Sequence, residues 1–271
     1  METITAVIPA KNEEKNIARC LESVRWCDRM LVMWMGDDKT GEIAEKLGTE
    51  VVAMNKSAKD DFIAVQKNIN WAIDHCKTDW VLRIDADEVC TEELRDEIKQ
   101  VLTFKSLKSS NVQTLKSSNV ETFQTFVAYG IPRKQYFLGD FLRGGDWAYD
   151  RLVRLFRPQC ARYEPLVAVH EQFKVDGKTG YLQNALLHYS HPTLNDVFRK
   201  FNSYTDVQIN DIHDSLAAAV FKMLTQPPYV FLRWMIWHRG YRDGVRGIVA
   251  GTLRGWYEFI LYKKYLGRKT I

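Results

Sequence analysis

Three carboxylates, Asp85, Asp87 and Glu88, follow directly on the apolar run WVLRI in the stretch WVLRIDADEV. Such a run reads as a buried strand, and acids at its carboxyl end stand where open α/β sheets bind ligands. Two aspartates one residue apart offer hard oxygen ligands to Mg²⁺ or Mn²⁺, and an ion held there neutralises a diphosphate. The plainer alternative is that Asp87 and Glu88 open a solvated loop.

A second motif lies downstream in AVHEQF, where His170 precedes Glu171. A zinc-protease reading needs H-E-x-x-H and fails, because position 174 is Lys. Glu171 is a candidate general base, whereas His170 also reads as a packed histidine bonded to a backbone carbonyl. His188, after the apolar LL of LLHYSH, completes a metal shell, touches a diphosphate, or is structural. In RLVRLFR, Arg151 and Arg154 alternate with apolar residues and are expected on one strand face, where Arg154 clamps a leaving phosphate or the two form a surface pair. D-A-D-E-V also matches haloacid-dehalogenase-type phosphatases, but their nucleophilic aspartate follows the first strand, and here it ends the fourth. No P-loop motif and no G-x-G-x-x-G after a strand occurs.

These residues need rigid elements beneath them. TITAVIP (3 to 9), MLVM (30 to 33), EVVAM (50 to 54) and DWVLRID (79 to 85) read as strands. Helical patterns run between them. Asn12 is expected to cap the first, with Glu13 and Glu14 at its positive end and Ile17, Leu21 and Val24 as its buried stripe. TGEIAEKLG, closed by Gly48, is the second, and Phe62, Val65, Ile69, Ala72 and Cys76 mark the third. This alternation predicts a mostly parallel sheet covered on both faces.

Thr91 can cap a helix over TEELRDEIKQVLTF, after which LKSSNVQT (107 to 114) is repeated as LKSSNVET (115 to 122). Two short polar copies have no apolar face to stack, so they read as a loop or helix extension. Short strands and turns from residue 123 predict an α+β half folded onto the sheet edge. Leu194, Val197, Phe198, Phe201 and Tyr204 mark a helix with one apolar face. The expected organisation is 1–104, an insert at 105–122, a second half of the same domain at 123–192, and a helical tail at 193–271.

At 271 residues and 46% hydrophobic, the chain can bury a large core. METITAVIPAKNEE enters a strand pattern without a basic n-region, apolar stretch or cleavage site, so a cytoplasmic location is expected. Five cysteines without a C-x-x-C pair predict reduced, packed thiols rather than a disulfide framework or zinc knuckle. The net charge of +4 is uneven, since residues 229–271 carry nine Lys/Arg against two Asp/Glu, a local +7, among ten aromatics. No uncharged apolar run there approaches the roughly 20 residues needed to span a bilayer. Amphipathic helices of this composition suit an anionic membrane surface; packing onto the chain's own domain or self-association is the second reading, and nucleic acid is not expected.

The run from VIPAKNEEKNIARCLESV through WVLRIDADE resembles the nucleotide-binding half of a family 2 glycosyltransferase with the GT-A fold. RLVRLFRP, AVHEQFKVDGKTG and LLHYSHPTLNDVFRKFNSYT resemble the branch that includes lipopolysaccharide core glucosyltransferases. The likeness spans residues 3 to 265 apart from the duplicated insert. It implies an α/β, GT-A-like fold: a mostly parallel, Rossmann-like sheet flanked by helices, a smaller α+β acceptor half and a C-terminal amphipathic helical tail. It implies that Asp85 and Asp87 hold ribose and a divalent cation, and that Pro9, Ala10 and Glu13 line the nucleotide pocket. Lys67 falls where the family places a basic nucleotide contact, with a solvated helix lysine as the alternative. Family members carry an aspartate after the second strand in a V-D-S-G-S-T-D pattern; alignment puts Met33 there and matches Asp38 to the last aspartate. Either Asp37 or Asp38 then reaches the base, or the nucleotide is read differently.

The expected reaction is an inverting, metal-dependent sugar transfer from a nucleotide-sugar donor, UDP-linked by preference, to a lipid-linked or lipopolysaccharide-like glycan at the inner face of the plasma membrane. Asp87 is the expected main ligand of Mn²⁺ or Mg²⁺, with Asp85 and His188 completing the shell. Asp38 and Arg154 contact the donor, and Glu171 removes the acceptor proton. Two other readings stay open: a nucleotidyltransferase that releases pyrophosphate, and a non-catalytic membrane adaptor suggested by Met33.

Overall fold

The computed structural model describes residues 2–54, 62–109, 126–164, 173–191 and 193–269, which divide into two units. The first is Met1–Pro132 with Arg151–Leu187, and the second is Arg133–Asp150 with His188–Ile271. The terminal helices share a unit with Arg133–Asp150 from the middle of the chain.

In the first unit, β1 (Ile4–Ala10), β2 (Arg29–Trp34), β3 (Glu50–Ala53) and β4 (Trp80–Arg83) run parallel in the order β3-β2-β1-β4. They are joined through α1 (Ile17–Ser23), α2 (Thr40–Lys46) and α3 (Phe62–His75). Then follow β5 (Glu88–Cys90), α4 (Glu92–Ser109), β6 (Phe126–Phe137), β7 (Asp140–Phe141), β8 (Arg151–Phe156) and the antiparallel pair β9 (Ala161–Tyr163) and β10 (Phe173–Val175). β11 (Lys178–Tyr181) and β12 (Leu186–His191) complete the strands among the described residues.

The sheet is mostly parallel only in its first four strands. β8 joins the β4 edge antiparallel, and β6 joins β8 antiparallel. Parallel neighbours need a crossover, usually a helix, and no α-helix lies between β6 and β8.

All seven residues of β1 are buried. Ile4, Ala6, Ile8 and Ala10 enter one core cluster with Ile17 and Leu21 of α1 and Leu94 and Ile98 of α4. Val7 enters the other, with Ile69, Ala72 and Ile73 of α3. A strand whose alternate residues feed two cores has helices on both faces. Met33, at the position where the resemblance expects aspartate, is fully buried in the α3-side cluster.

Asn12 does not cap α1. Its φ is 56°, a left-handed conformation that asparagine tolerates, and the Asn16 and Ile17 N–H groups both donate to the Glu13 carbonyl at 2.9 Å before the helix starts. Thr91 does cap α4: its Oγ1 accepts the Leu94 N–H at 3.1 Å. The helix continues to Ser109, into the first repeat copy; the rest of the duplication lies outside the described residues. All five cysteines are free.

The second unit is built on α5 (Leu194–Gln208), α6 (Leu216–Leu232) and α7 (Gly244–Lys269). The apolar face of α5 is narrower than expected: Val197 and Phe201 are buried, while Leu194, Phe198 and Tyr204 are exposed. α6 runs through Pro227 and Pro228 into a π-turn at Arg233–Trp237 and a 3-10 turn at Gly240–Asp243. Among the described residues no helix is long and apolar enough to cross a membrane.

Glycines set the distance between these helices. A Cβ on Gly247 would lie 1.9 Å from the Gly240 carbonyl oxygen, and one on Gly255 would lie 2.8 Å from that of Pro227. Alanine normally favours a helix interior by about 1 kcal/mol over glycine, but here backbone meets backbone and neither side can yield cheaply. Gly247→Ala is therefore expected to destabilise the chain by about 1–3 kcal/mol in urea unfolding. Gly267→Ala on the same helix, with nothing within 4 Å, should be neutral or slightly stabilising. Equal effects of the two substitutions would contradict this account of the packing.

Candidate active site

The acids after β4 form a closed turn. The Glu88 N–H donates to the Asp85 carbonyl at 2.9 Å, and the Asp85 N–H donates to Glu88 Oε2 at 2.8 Å. Ala86, between them, is buried in the core. Asp87 occupies the third position of the turn and is half-buried.

Two arginines converge on the same acids. Arg83 reaches both Asp85 oxygens at 3.0 Å, and Arg154 Nη2 lies 2.6 Å from Asp85 Oδ2 and 3.3 Å from Glu88 Oε1. Glu88 is 0% and Arg154 1% exposed. The quartet of Arg83, Arg154, Asp85 and Glu88 is balanced in formal charge, which is the condition for keeping ions out of water. Beneath it, Cys20 Sγ donates to the Asp85 carbonyl at 3.4 Å. Burial first, then the charges of Glu88, Asp87 and Asp85, push this thiol well above its ordinary pKa and keep it a neutral donor.

The three carboxylates thus have separate places. Glu88 anchors the turn from inside, Asp85 is held by the arginines, and Asp87 sits half-buried at the third position of the turn. Removing Arg154 would leave the Glu88 carboxylate buried beside a lost cation. Arg154→Leu is expected to cost about 3–5 kcal/mol of unfolding free energy, with part regained in Arg154→Leu/Glu88→Gln. Urea melts check this, and a fully stable single variant would refute the anchoring role.

Arg151 and Arg154 differ in burial and do not form a surface pair. A register shift lies between the pairs Tyr129–Leu155 and Gly130–Val153, so simple strand alternation does not relate the two side chains. Arg151 is exposed, with its guanidinium carbon 5.9 Å from the Tyr181 ring centroid. Arg154 points into the quartet, so the exposed phosphate clamp expected of it is replaced by ion pairs with Asp85 and Glu88.

The loops after β1 and β2 are tied together at the same carboxyl end of the sheet. Asn12 Oδ1 accepts the Asp37 N–H at 3.0 Å, Thr40 Oγ1 accepts the Glu13 N–H at 2.8 Å, and Asp38 Oδ2 accepts the Glu14 N–H at 3.0 Å. A Cβ at Gly36 would lie 2.3 Å from Asn12 Oδ1, so this approach requires glycine. Burial raises the Asp38 pKa, but hydrogen bonds from Thr40 and Glu14 outweigh it and hold the carboxyl below its usual range. Asp38 is thus a loop tie, whereas Asp37 is exposed.

Pro9 and Ala10, both buried, end β1 beside β4, two and three residues past the Val7–Arg83 register pair. Glu13 accepts from Asn16 Nδ2 through Oε2 at 2.7 Å. Lys67 is an exposed residue of α3. His188 lies in β12 and is assigned to the second unit, and Asp85 and Asp87 are assigned to the first. His170 and Glu171 lie outside the described residues. Sequence reasoning missed Arg83 and the role of Glu88; the signal was an arginine inside a strand whose other residues are apolar, which must find an acid.

Among the described residues no group of three or more His, Cys, Asp or Glu side chains could hold a metal ion. Both Asp85 oxygens accept from arginines, so the carboxylates of this turn offer few open oxygens to a cation. This donor set does not build a resident cage. It fits a Mg²⁺- or Mn²⁺-type ion that binds through one carboxylate and takes the rest of its shell from substrate phosphates and water.

Comparison with known proteins bears on this site. The family described as glycosyl transferase family 2 matches residues 5–151, which include the 85–88 turn and both tied loops. An uncharacterised glycosyltransferase of Rickettsia conorii is 27% identical over 97% of this chain and 89% of its own length. The lipopolysaccharide core biosynthesis glycosyltransferase LpsC of Rhizobium meliloti is 23% identical over 99% of this chain and 93% of its own. Among solved structures, S. aureus TarS 1-349 in complex with UDP aligns with a TM-score of 0.45 at 13% identity, covering 97% of this chain and 91% of that one. With the family matching more than half its length, this chain belongs to glycosyl transferase family 2 and is a glycosyltransferase with an α/β, GT-A-type fold.

Proposed function

We propose that this glycosyltransferase moves one sugar, with inversion, from a nucleotide-sugar donor to a hydroxyl of a lipid-linked or lipopolysaccharide-like glycan at a membrane surface. The observation that carries the proposal is the closed turn at the end of β4, which fixes Asp85, Asp87 and Glu88 at the carboxyl end of the sheet, beside the β1 end at Pro9 and Ala10. Similarity to LpsC over nearly the whole of both chains supports the acceptor class.

In this reading Asp87 would hold a divalent cation, which would supply charge neutralisation for the leaving diphosphate. Pro9, Ala10 and Glu13 border the nucleotide, and Asp85 faces the ribose while the arginines fix its carboxylate. The acceptor oxygen forms a bond to the anomeric carbon as the bond from that carbon to the phosphate oxygen breaks. Glu171 takes the acceptor proton, and the nucleoside diphosphate departs with the bonding electrons. Because Met33 is a core residue, base recognition falls to other groups; a UDP-sugar remains the preferred donor.

Product analysis tests the proposal. The full chain is incubated with UDP, GDP, ADP and CMP sugars, Mn²⁺ and an extracted lipid-linked glycan. Release of nucleotide matched by a gain of one sugar on the acceptor, with inverted anomeric configuration, is expected. Pyrophosphate release from a nucleoside triphosphate would instead identify a nucleotidyltransferase.

A further inference from the structure

We infer that the tip of the α6–α7 hairpin is a preformed wedge that inserts into the interface of a lipid bilayer bearing anionic headgroups. The inference deepens the membrane-surface part of the proposed function and rests on that reading for its biological setting.

At the tip, Ile236, Trp237, Tyr241 and Val245 are 64%, 79%, 61% and 76% exposed. Leu232 and Leu224 continue the exposed apolar surface back along α6. Partitioning one such side chain out of water is worth roughly tenfold to a hundredfold.

The tip is held in shape from its inner side. Trp234 is fully buried, and a Cβ on Gly145, Gly240 or Gly251 would come within 2.2, 2.3 or 2.8 Å of its ring. Asp243 accepts the N–H groups of Arg143 and Gly144, and the Gly145 N–H donates to the His238 carbonyl at 2.8 Å. Arg239 sits at φ 55°, an uncommon conformation for a side chain of its size, maintained by these contacts. Because the backbone is already fixed, inserting the tip needs little further ordering.

Charge selects the occupant. Much of the basic charge of the tail is used internally: Arg233 pairs with Asp146, Arg246 with Asp140, Arg254 with Glu258, and Lys264 with Asp206. Arg239 and Arg242 are exposed at the tip itself, and the acid there, Asp243, is bound to backbone amides. A twofold self-association through the tip would set like charges together, whereas anionic headgroups complement them. Tryptophan, tyrosine and arginine around aliphatic residues are the composition of a membrane interface. The inserting part is therefore a short apolar tip, not the whole basic tail lying flat.

Sedimentation of the full chain with phosphatidylcholine vesicles, with and without phosphatidylglycerol, tests this at low and high salt. Binding to both vesicles is expected, with about thirtyfold tighter binding to the anionic ones at low salt from the two arginines and most of that gain lost at high salt. Ile236→Ser/Trp237→Ser/Val245→Ser should weaken binding to both at least a hundredfold without lowering Tm, because these side chains are exposed. No vesicle binding by the wild type, or undiminished binding by the folded triple variant, overturns the inference. So does a lipid-free dimer that the variant abolishes, since the surface would then be a self-association face. Nucleotide-sugar turnover in lipid-free buffer is read in parallel: turnover without vesicle binding removes the wedge alone, and vesicle binding without turnover removes the transfer reading alone.

Discussion

Asp87→Asn is expected to lower the rate of sugar transfer at least about a thousandfold in a chain that still folds, from loss of several kcal/mol of charge stabilisation on the leaving diphosphate. The turn itself should survive. Its closing hydrogen bonds run between Asp85 and Glu88, and the arginines contact those two acids. Asparagine keeps the shape of the side chain and removes its charge. Asp85→Asn is different, because it weakens the hold on two arginines and should cost stability as well as rate. Single-turnover rates beside thermal melts separate the two, and a well-folded Asp87→Asn enzyme with wild-type turnover would remove Asp87 from the site.

Glu171→Gln should leave the donor Kd within about twofold of wild type and cut transfer by roughly 10²–10⁴, the usual contribution of a positioned general base. Glutamine still accepts a hydrogen bond from an acceptor hydroxyl, so acceptor binding should persist while proton removal is lost. The split between preserved binding and lost kcat distinguishes a base from a residue that merely shapes the pocket. Retained transfer would send the search for the base to another carboxylate.

Much of the first unit was legible in the sequence because its signals are local. The apolar run of ITAVIPA, the stripe of Ile17, Leu21 and Val24, and the Thr91 cap each follow from neighbours within a few residues. The β4 strand and the acids at its end were equally plain. What the sequence hid was pairing across distance. The antiparallel entry of β8 beside β4 joins residues more than seventy apart, as in the Leu82–Leu155 pair, and that entry carries Arg154 to Asp85. Arg154 alternates with apolar neighbours whether it faces solvent or a buried acid, so local pattern could not distinguish the two. Asn12 misled for a related reason: the residue type suits both a helix cap and a left-handed turn, and its bond to the Asp37 N–H, twenty-five residues away, accompanies the second. In the tail, composition read nine basic residues as a charged surface, but the ion pairs with Asp140, Asp146 and Asp206 are tertiary, while the Arg254–Glu258 pair is one helical turn apart.

The central claim is that the turn after β4 receives a nucleotide sugar together with a divalent cation. It is tested most directly by thermal shift of the wild type and Asp87→Asn with UDP, GDP, ADP and CMP sugars, each with and without Mn²⁺. A ligand that binds the folded state raises Tm in proportion to the logarithm of its concentration over Kd. One nucleotide sugar should stabilise the wild type only with Mn²⁺ present, Mn²⁺ alone should do little, and Asp87→Asn should erase the shift. A shift independent of both Mn²⁺ and Asp87, or none with any donor, would contradict the account.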